Sequence, residues 1–415
     1  MKILQVNKFH YPRGGADKYF LDLAAALRSA GHEVAVFAMQ HPQNLPAPES
    51  RYFVSRISFN SRRLKDQLKA PGRVLYSLEA KRKFSALVKD FQPEIIHLHN
   101  IYHHLSPSIL SVAKEHKIPV VMHLHDYKLI CANHALFAHG AYCEHCRPNR
   151  YYQCFLRRCL KDSYAASALA AAEMYLHHSI LKIYEKNIAV FIAPSRFMKE
   201  IVVSFGQPAE KIQVIYNGYN PELLKPGGTA IIDGKLKDGG YLLYFGRLSE
   251  EKGLDTLIRA AALSGQSVKI AGRGPVGEKL KQLAGALKAP VEFLGQKTGA
   301  ELSALIAGAK AAIIPSIWPE NMPLSLLEAL SLGKPVIASN IGGLPEVIAD
   351  GRNGFLFAPG KADDLARCIE KLAETDLSAM GQAAKITAAA FSPQQNLAAV
   401  LAVYRSLLKG PANQR

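Results

Sequence analysis

The chain has 415 residues, 49% of them hydrophobic and 20% charged, an ordinary globular composition in a length that outgrows one core and predicts two domains. No uncharged apolar run reaches about eighteen residues, which excludes a membrane-spanning helix, and the opening Met1-Lys2-Ile3-Leu4-Gln5-Val6 reads as a strand and not as a secretory leader. A cytoplasmic protein with its six cysteines reduced is therefore expected.

The N-terminal third alternates strand and helix. Ile3 to Val6 is an apolar run, a loop ends at Gly14-Gly15, and Phe20, Leu23, Ala24 and Leu27 repeat at helical spacing up to the stop signal Gly31. Further strands are expected at 33–38, 95–98, 120–124 and 189–193. A second series begins near Tyr241, with strands at 241–245, 268–271, 291–294, 311–314, 335–338 and 354–357, and with helices such as Leu254–Ala262 and Leu324–Leu332 between them. Continuous apolar strands, each followed by a helix, predict parallel sheets covered on both faces. The stretch from Asn217-Gly218 to Gly240 is rich in Gly and Pro and reads as a hinge. The expected architecture is thus α/β, two Rossmann-like doubly wound domains whose strand ends face an interdomain cleft suited to a nucleotide.

The formal charge of +17 favours a polyanion: nucleic acid, anionic lipid or a phosphorylated substrate. Between Arg56 and Phe84 there are nine Lys/Arg and two acids, Asp66 and Glu79, with interleaved apolar residues. That pattern suits either an anionic membrane surface or a solvated helical face.

Four constellations could carry chemistry. In Pro315-Ser316-Ile317-Trp318-Pro319-Glu320-Asn321-Met322-Pro323-Leu324-Ser325-Leu326-Leu327-Glu328-Ala329, two glutamates bracket a helix opening at Pro323. Its free amides suit a diphosphate, and Glu320 over the cleft and Glu328 on the helix suit sugar and ribose hydroxyls; solvated helix charges are the plain alternative. In Phe245-Gly246-Arg247-Leu248-Ser249-Glu250-Glu251-Lys252-Gly253, Arg247 and Lys252 follow a strand and could meet a departing diphosphate, or else pair with Glu250 and Glu251. No Asp-x-Asp metal motif occurs. The loops Gly14-Gly15, Gly272-Arg273-Gly274 and Gly342-Gly343 admit close approach of a phosphate or are turn glycines. Histidines 97, 99, 123 and 125 stand near the ends of two strands, with His125-Asp126 just beyond one of them.

Taken together, Gly14-Gly15, His125-Asp126, Asn217-Gly218, Gly246-Arg247 with Lys252, Glu320 and Glu328, and the run Gly333-Lys334-Pro335-Val336-Ile337-Ala338-Ser339-Asn340-Ile341-Gly342-Gly343-Leu344-Pro345-Glu346 resemble retaining glycosyltransferase family 4. The resemblance implies GT-B architecture, with an acceptor domain over 1–218 completed by the C-terminal helix at 394–415, and a nucleotide-sugar domain over 219–393. It implies a metal-independent hexosyltransferase moving a sugar from a UDP- or GDP-sugar to an acceptor with retention, the acceptor being a sugar or lipid-linked and the setting polysaccharide or glycolipid assembly. Arg247 and Lys252 would bind the diphosphate, Glu328 the ribose and Glu320 the transferred sugar, with His125 beside that sugar and Asp126 next to it. Gly14, Gly15, Asn217, Gly246, Gly272, Arg273, Asn321, Met322, Pro323 and Leu324 complete the expected donor set. No cofactor is implied.

One stretch stands apart. Cys143, Cys146, Cys154 and Cys159 have the spacing C-x2-C-x7-C-x4-C, which fits either a structural zinc or a loop of reduced thiols. A nucleotide-sugar epimerase shares the expected architecture, and a basic nucleic-acid-binding protein would also explain the charge. Nucleic acid is not the expected partner; a nucleotide sugar is, together with an anionic membrane surface for a peripheral protein on the inner face of the plasma membrane.

Overall fold

A computed structural model describes residues 1–57, 71–219, 231–232, 235–236 and 240–409. By its internal contacts the chain divides into two units. One comprises Met1–Leu136, Cys143–Tyr216 and Asn396–Arg415, the other Phe137–Tyr142 and Asn217–Gln395.

The first unit is built on β1 (Lys2–Val6), β2 (Glu33–Phe37), β3 (Ile95–Leu98) and β4 (Val120–His123). A two-stranded antiparallel hairpin, β5 (Phe137–Ala138) and β6 (Ala141–Tyr142), then interrupts it and clusters with the second unit, before β7 (Val190–Ala193) and β8 (Ile212–Val214) complete the sheet. All six sheet strands are parallel in the order β2-β1-β3-β4-β7-β8. Chain direction across the sheet reverses between β1 and β3, the kind of point at which such sheets take ligands beyond the strand ends. The helix Gly15–Ser29 returns along the sheet. Tyr19, Phe20, Leu23 and Leu27 recur every three or four residues on its buried face, and Gly31, at φ 80°, ends it where a side chain would strain the backbone. The helix Pro393–Lys409 adds Val400, Leu401, Val403 and Tyr404 to a core with Ile3, Tyr19, Leu23, Leu27, Val121 and Ile192. Burying each such side chain contributes about 1.5–3 kcal/mol, so this helix is integral to the first unit.

In the second unit the short antiparallel pair β9 (Ile231–Ile232) and β10 (Lys235–Leu236) precedes a six-stranded parallel sheet. Its strands are β11 (Leu242–Phe245), β12 (Val268–Ala271), β13 (Val291–Gly295), β14 (Ala311–Ile314), β15 (Val336–Ser339) and β16 (Gly354–Phe357). They lie in the order β13-β12-β11-β14-β15-β16, the arrangement of a dinucleotide-binding fold, with the reversal between β11 and β14. Leu257, Ile258, Ala261, Leu365, Ile369 and Leu372 pack with the strand side chains Leu242, Ile270, Ile313 and Ile337.

The α/β class and both parallel sheets match the expectation. Three short pairings, β8, the β5–β6 hairpin and β9–β10, have no counterpart among the expected strands. Most of the expected hinge at 217–240 lies outside the described residues. So does 58–70, the centre of the basic segment expected to meet a membrane. The flanks of that segment correct one part of its reading. Ile57, Val74 and Phe84 are buried in the core, so they are not available for insertion into lipid, and Arg73 is buried against Glu79 at 2.6 Å. Among the described residues no helix is long and apolar enough to cross a membrane.

Candidate active site

The second unit gathers four loops at the carboxyl ends of β11, β12, β14 and β15, and glycines let them touch. A Cβ on Gly272 would lie 1.8 Å from the Gly246 carbonyl oxygen, and one on Gly274 2.0 Å from that of Leu248. The same loops are bonded by Gly246 N–H to Ala271 O at 3.0 Å and Leu248 N–H to Arg273 O at 3.0 Å. Gly253, at φ 63°, approaches the Pro315 carbonyl so closely that a Cβ would sit 2.1 Å from it, and the Ile317 amide donates to Glu251 O at 3.0 Å. Gly342, at φ 65°, sits against Glu320 in the same way, and the Gly343 amide donates to Glu320 O at 2.6 Å. The segments 246–253, 272–274, 315–323 and 340–343 therefore form one backbone-stitched surface at the switch point.

The side chains on that surface are specific. Lys252 Nζ is 2.6 Å from Glu320 Oε1 and lies over the Trp318 ring, and Ser316 Oγ donates to the same oxygen at 2.5 Å. Glu320 is only 4% exposed. This corrects the expectation that it hangs over a cleft: the carboxyl group is desolvated and held by an ammonium and a hydroxyl. Arg247 and Arg273 are exposed, and no ion pair joins either of them among the described residues. Burial, then the charges of Glu320 and Glu251, push the Tyr244 phenol up, and its neutral hydroxyl donates to the Arg247 carbonyl at 2.7 Å.

Helix Leu324–Ser331 starts one residue later than expected, with Pro323 as its cap in an extended conformation. Pro323 has no side-chain donor or acceptor to offer, so no side chain caps the first-turn amides. Glu328 is buried on this helix, Asn321 and Met322 are buried before it, and Leu324 is half-buried. Asn217 Nδ2 donates to the Met322 carbonyl at 3.4 Å, so the start of this unit braces the same loop. The structure thus brings together Asn217, Gly246, Arg247, Lys252, Gly272, Arg273, Glu320, Asn321, Met322, Pro323, Leu324 and Glu328. Ser316, Gly253, Gly274 and Gly342 also shape the surface; Gly274 and Gly342 stood in loops expected to admit a phosphate or to be plain turns, whereas Ser316 and Gly253 were marked only by their place in the runs that carry Glu320 and Lys252.

In the first unit Gly14 caps the helix that Gly15 opens. Asp17, third in that helix, is buried and folds back to the Gly14 amide, and Asn7 Nδ2 donates to its Oδ1 at 2.8 Å. Burial raises its carboxyl against these bonds. The glycine loop therefore carries its own internal carboxylate at the helix start, which was not visible in a search for phosphate-binding glycines. His125 and Asp126 lie just past β4, both half-buried, and Asp126 Oδ1 accepts from the Lys128 amide at 2.9 Å. Histidines 97, 99, 123 and 125 form a stack across β3 and β4, with ring centroids 4.5 Å apart for His97–His99 and 4.4 Å for His123–His125. Burial, followed by the charges of neighbouring imidazoles, holds His97, His99 and His125 well below the ordinary histidine range.

The cysteine stretch draws its thiols together: burial pushes Cys131 up to about 11 and Cys146 up to about 12, and neighbouring thiols add to the second shift. Cys131 Sγ donates to Asn133 Oδ1 at 2.9 Å. Yet among the described residues no group of three or more His, Cys, Asp or Glu side chains could hold a metal ion. Cys143, Cys146, Cys154 and Cys159 are free thiols.

The description Glycosyltransferase Family 4 matches residues 13–223, and Glycosyl transferases group 1 matches 232–391. A relative described as an uncharacterized glycosyltransferase of Methanocaldococcus jannaschii is 35% identical over 196 residues. That match covers 44% of this chain and only 50% of the relative's own length. Among solved structures, a sucrose-phosphate synthase from Thermosynechococcus elongatus aligns with a TM-score of 0.71 at 20% identity, covering 98% of this chain and 99% of that one. Anabaena HepE in complex with UDP and glucose aligns with a TM-score of 0.68 at 22% identity, covering 98% of this chain and 100% of that one. The fold is that of glycosyltransferases of GT-B architecture. Within that class the chain belongs to glycosyltransferase family 4.

Proposed function

We propose that the second unit binds a nucleotide-diphosphate sugar, UDP- or GDP-linked, and that the chain transfers the sugar to an acceptor with retention of anomeric configuration and without a metal. The observation that carries this reading is the glycine-stitched surface on which the Lys252–Glu320–Ser316 cluster lies beside the exposed Arg247 and Arg273. As the bond between the anomeric carbon and the diphosphate oxygen breaks, its electron pair moves onto the diphosphate. Arg247, Lys252 and Arg273 supply positive charge where that negative charge grows. The uncapped amides of helix Leu324–Ser331 add their dipole. Glu320 accepts hydroxyls of the transferred sugar, exchanging part of its bond to Lys252 for them, and Glu328 accepts from the ribose. Retention means that the acceptor oxygen joins on the face the diphosphate leaves, its proton passing to the departing phosphate oxygen. His125 and Asp126, with Gly14 and Gly15, serve the sugar and acceptor side.

A lipid-linked acceptor in polysaccharide or glycolipid assembly would use the basic excess to reach an anionic membrane, each near-surface cation contributing about 1 kcal/mol. Changing Arg62, Arg63, Lys65 and Lys69 to glutamine should then weaken co-sedimentation with anionic vesicles; equal sedimentation of both proteins removes this part of the reading. The reaction itself is tested by incubating the protein with UDP- and GDP-sugars in EDTA and measuring nucleoside diphosphate. Release that persists in chelator supports the reading, and release that stops and is restored by magnesium contradicts it.

A further inference from the structure

The segment from Arg147 to Lys186 in the first unit turns apolar side chains outward in a way that a plain solvated surface does not. Among the described residues twelve large hydrophobic side chains stand exposed, and six of them are Tyr152, Phe155, Leu156, Tyr164, Ile180 and Leu181. Scattered exposed apolar residues are ordinary, but a concentration of them marks a contact surface. Helix Tyr164–Met174 extends it. Its outward residues are Tyr164, Ala165, Ala168 and Ala172, which lie within about 100° of one another around the axis. No charged residue stands between Asp162 and Glu173, and Glu173 turns inward to Lys128 at 2.7 Å. The outward face of this helix is therefore without charge.

The surface is held in place. Tyr151 and Cys154 are buried and anchor helix Tyr152–Leu156, which leaves Tyr152, Phe155 and Leu156 outside. The Ser163 hydroxyl accepts from the Ala166 amide at 3.3 Å and caps the next helix, and the Leu160 amide donates to Ser167 Oγ at 3.0 Å. The rings of Phe155 and Tyr164 meet with centroids 5.4 Å apart, and the Arg158 guanidinium lies over the Tyr164 ring at 5.4 Å.

Charge selects what covers this face. All seven Lys and Arg residues from Arg147 to Lys186 are exposed. Of the three acids in the same span only Asp162 is exposed; Glu173 is buried, and Glu185 is half-buried against His178 at 2.6 Å. A second copy of a chain with net charge +17 would be repelled by such a rim. An anionic bilayer matches both features, with headgroup phosphates for the cations and acyl chains for Leu156 and Ile180. Tyrosines then sit at the boundary between the two, where phenol rings concentrate.

We propose that the face formed by helices Tyr152–Leu156 and Tyr164–Met174, with Ile180 and Leu181, docks the first unit on an anionic lipid bilayer. Its use in the reaction rests on the lipid-linked acceptor proposed above; the docking itself does not, and it employs residues other than Arg62, Arg63, Lys65 and Lys69.

Co-sedimentation of the full chain with equimolar phosphatidylcholine–phosphatidylglycerol vesicles, against phosphatidylcholine alone, measures it. The wild type should bind the anionic vesicles and leave the neutral ones in large part free. Leu156→Ser/Tyr164→Ser/Ile180→Ser should lower the partition coefficient by about tenfold or more, because less apolar surface enters lipid. Arg158→Gln/Lys161→Gln/Lys182→Gln should lower it by about fivefold per cation removed. In Phe155→Trp, lipid brominated on its acyl chains should quench fluorescence beyond any quenching of Trp318, the one tryptophan of the wild type. None of these readouts needs sugar transfer, so failure of the transferase reading leaves them standing. A folded serine variant that sediments like the wild type overturns the proposal, and so does a wild type that does not bind. A wild type that self-associates without lipid, when the serine variant stays monomeric, also overturns it and assigns the face to a second copy. Should the serine variant not fold, Phe155→Trp decides, and no excess quenching overturns the proposal.

Discussion

The glycine contacts of the second unit make Gly272→Ala a sharp perturbation. Gly272 has an ordinary backbone conformation, so the substitution is opposed by space alone. Its new Cβ would start 1.8 Å from the Gly246 oxygen, a contact that real Cβ atoms do not make below 3.0 Å. The two loops must separate by about 1 Å or more, and the segment that moves carries Arg247. Overpacking of this kind costs about 1–3 kcal/mol of stability, and a misplacement of about 1 Å at a positioning group costs roughly a hundredfold in rate. Steady-state release of nucleoside diphosphate from the donor, with urea unfolding alongside, reads both effects. Gly285→Ala is the control: the glycine lies within helix Gly277–Ala286 with nothing within 4 Å, so alanine should stabilise by about 0.5–1 kcal/mol and leave kcat alone. A Gly272→Ala protein with wild-type kcat and urea midpoint would refute the claim that backbone contact positions Arg247.

Four further outcomes are expected. Glu328→Ala should raise the donor dissociation constant by roughly ten- to a hundredfold, the loss of a charged hydrogen bond of about 1.5–3 kcal/mol, and calorimetric titration of donor checks it. Lys252→Met should destabilise by about 1–3 kcal/mol because Glu320 is left buried without its cation, and Lys252→Met/Glu320→Gln should recover part of the loss; a double mutant no more stable than Lys252→Met denies the coupling. Burial alone would raise the Glu173 carboxyl, but Lys128 at 2.7 Å and His103 at 3.1 Å overcome it and hold it at about 2, below its unfolded value. Its contribution to stability is therefore complete above about pH 4.5 and lost as pH falls towards 2, so Glu173→Gln should flatten the acid limb of a plot of urea midpoint against pH. Elemental analysis of purified protein is expected to find clearly sub-stoichiometric zinc if Cys143, Cys146, Cys154 and Cys159 are a reduced loop, and about one equivalent if they close on a structural metal.

Much of the fold was legible because fully buried parallel strands are written as apolar runs. The stretches 95–98, 268–271 and 311–314 were readable to the residue, since polar or turn residues bound them on both sides. Strand β8 escaped notice because Ile212-Gln213-Val214 is too short to show a pattern, and β5–β6 because its His139-Gly140 turn lacks a strong hairpin signature. At the site, polarity misled in one place: an acidic residue reads as exposed, whereas Glu320 is buried through partners, Lys252 and Ser316, that only folding brings near. The four histidines stood out in the sequence, but Gln5 and Tyr404, which contact His99 and His97, did not, because the partners they join are up to hundreds of positions apart along the chain.

The most direct measurement of the central claim is hydrogen–deuterium exchange on the full chain with and without saturating UDP or GDP. In the second unit, the account predicts slower exchange at 246–253, 272–274 and 315–328, and no change in helix Ala362–Ala373. Saturating nucleotide that leaves those three segments unprotected, or that protects only other parts of the second unit, would contradict the donor site assigned here.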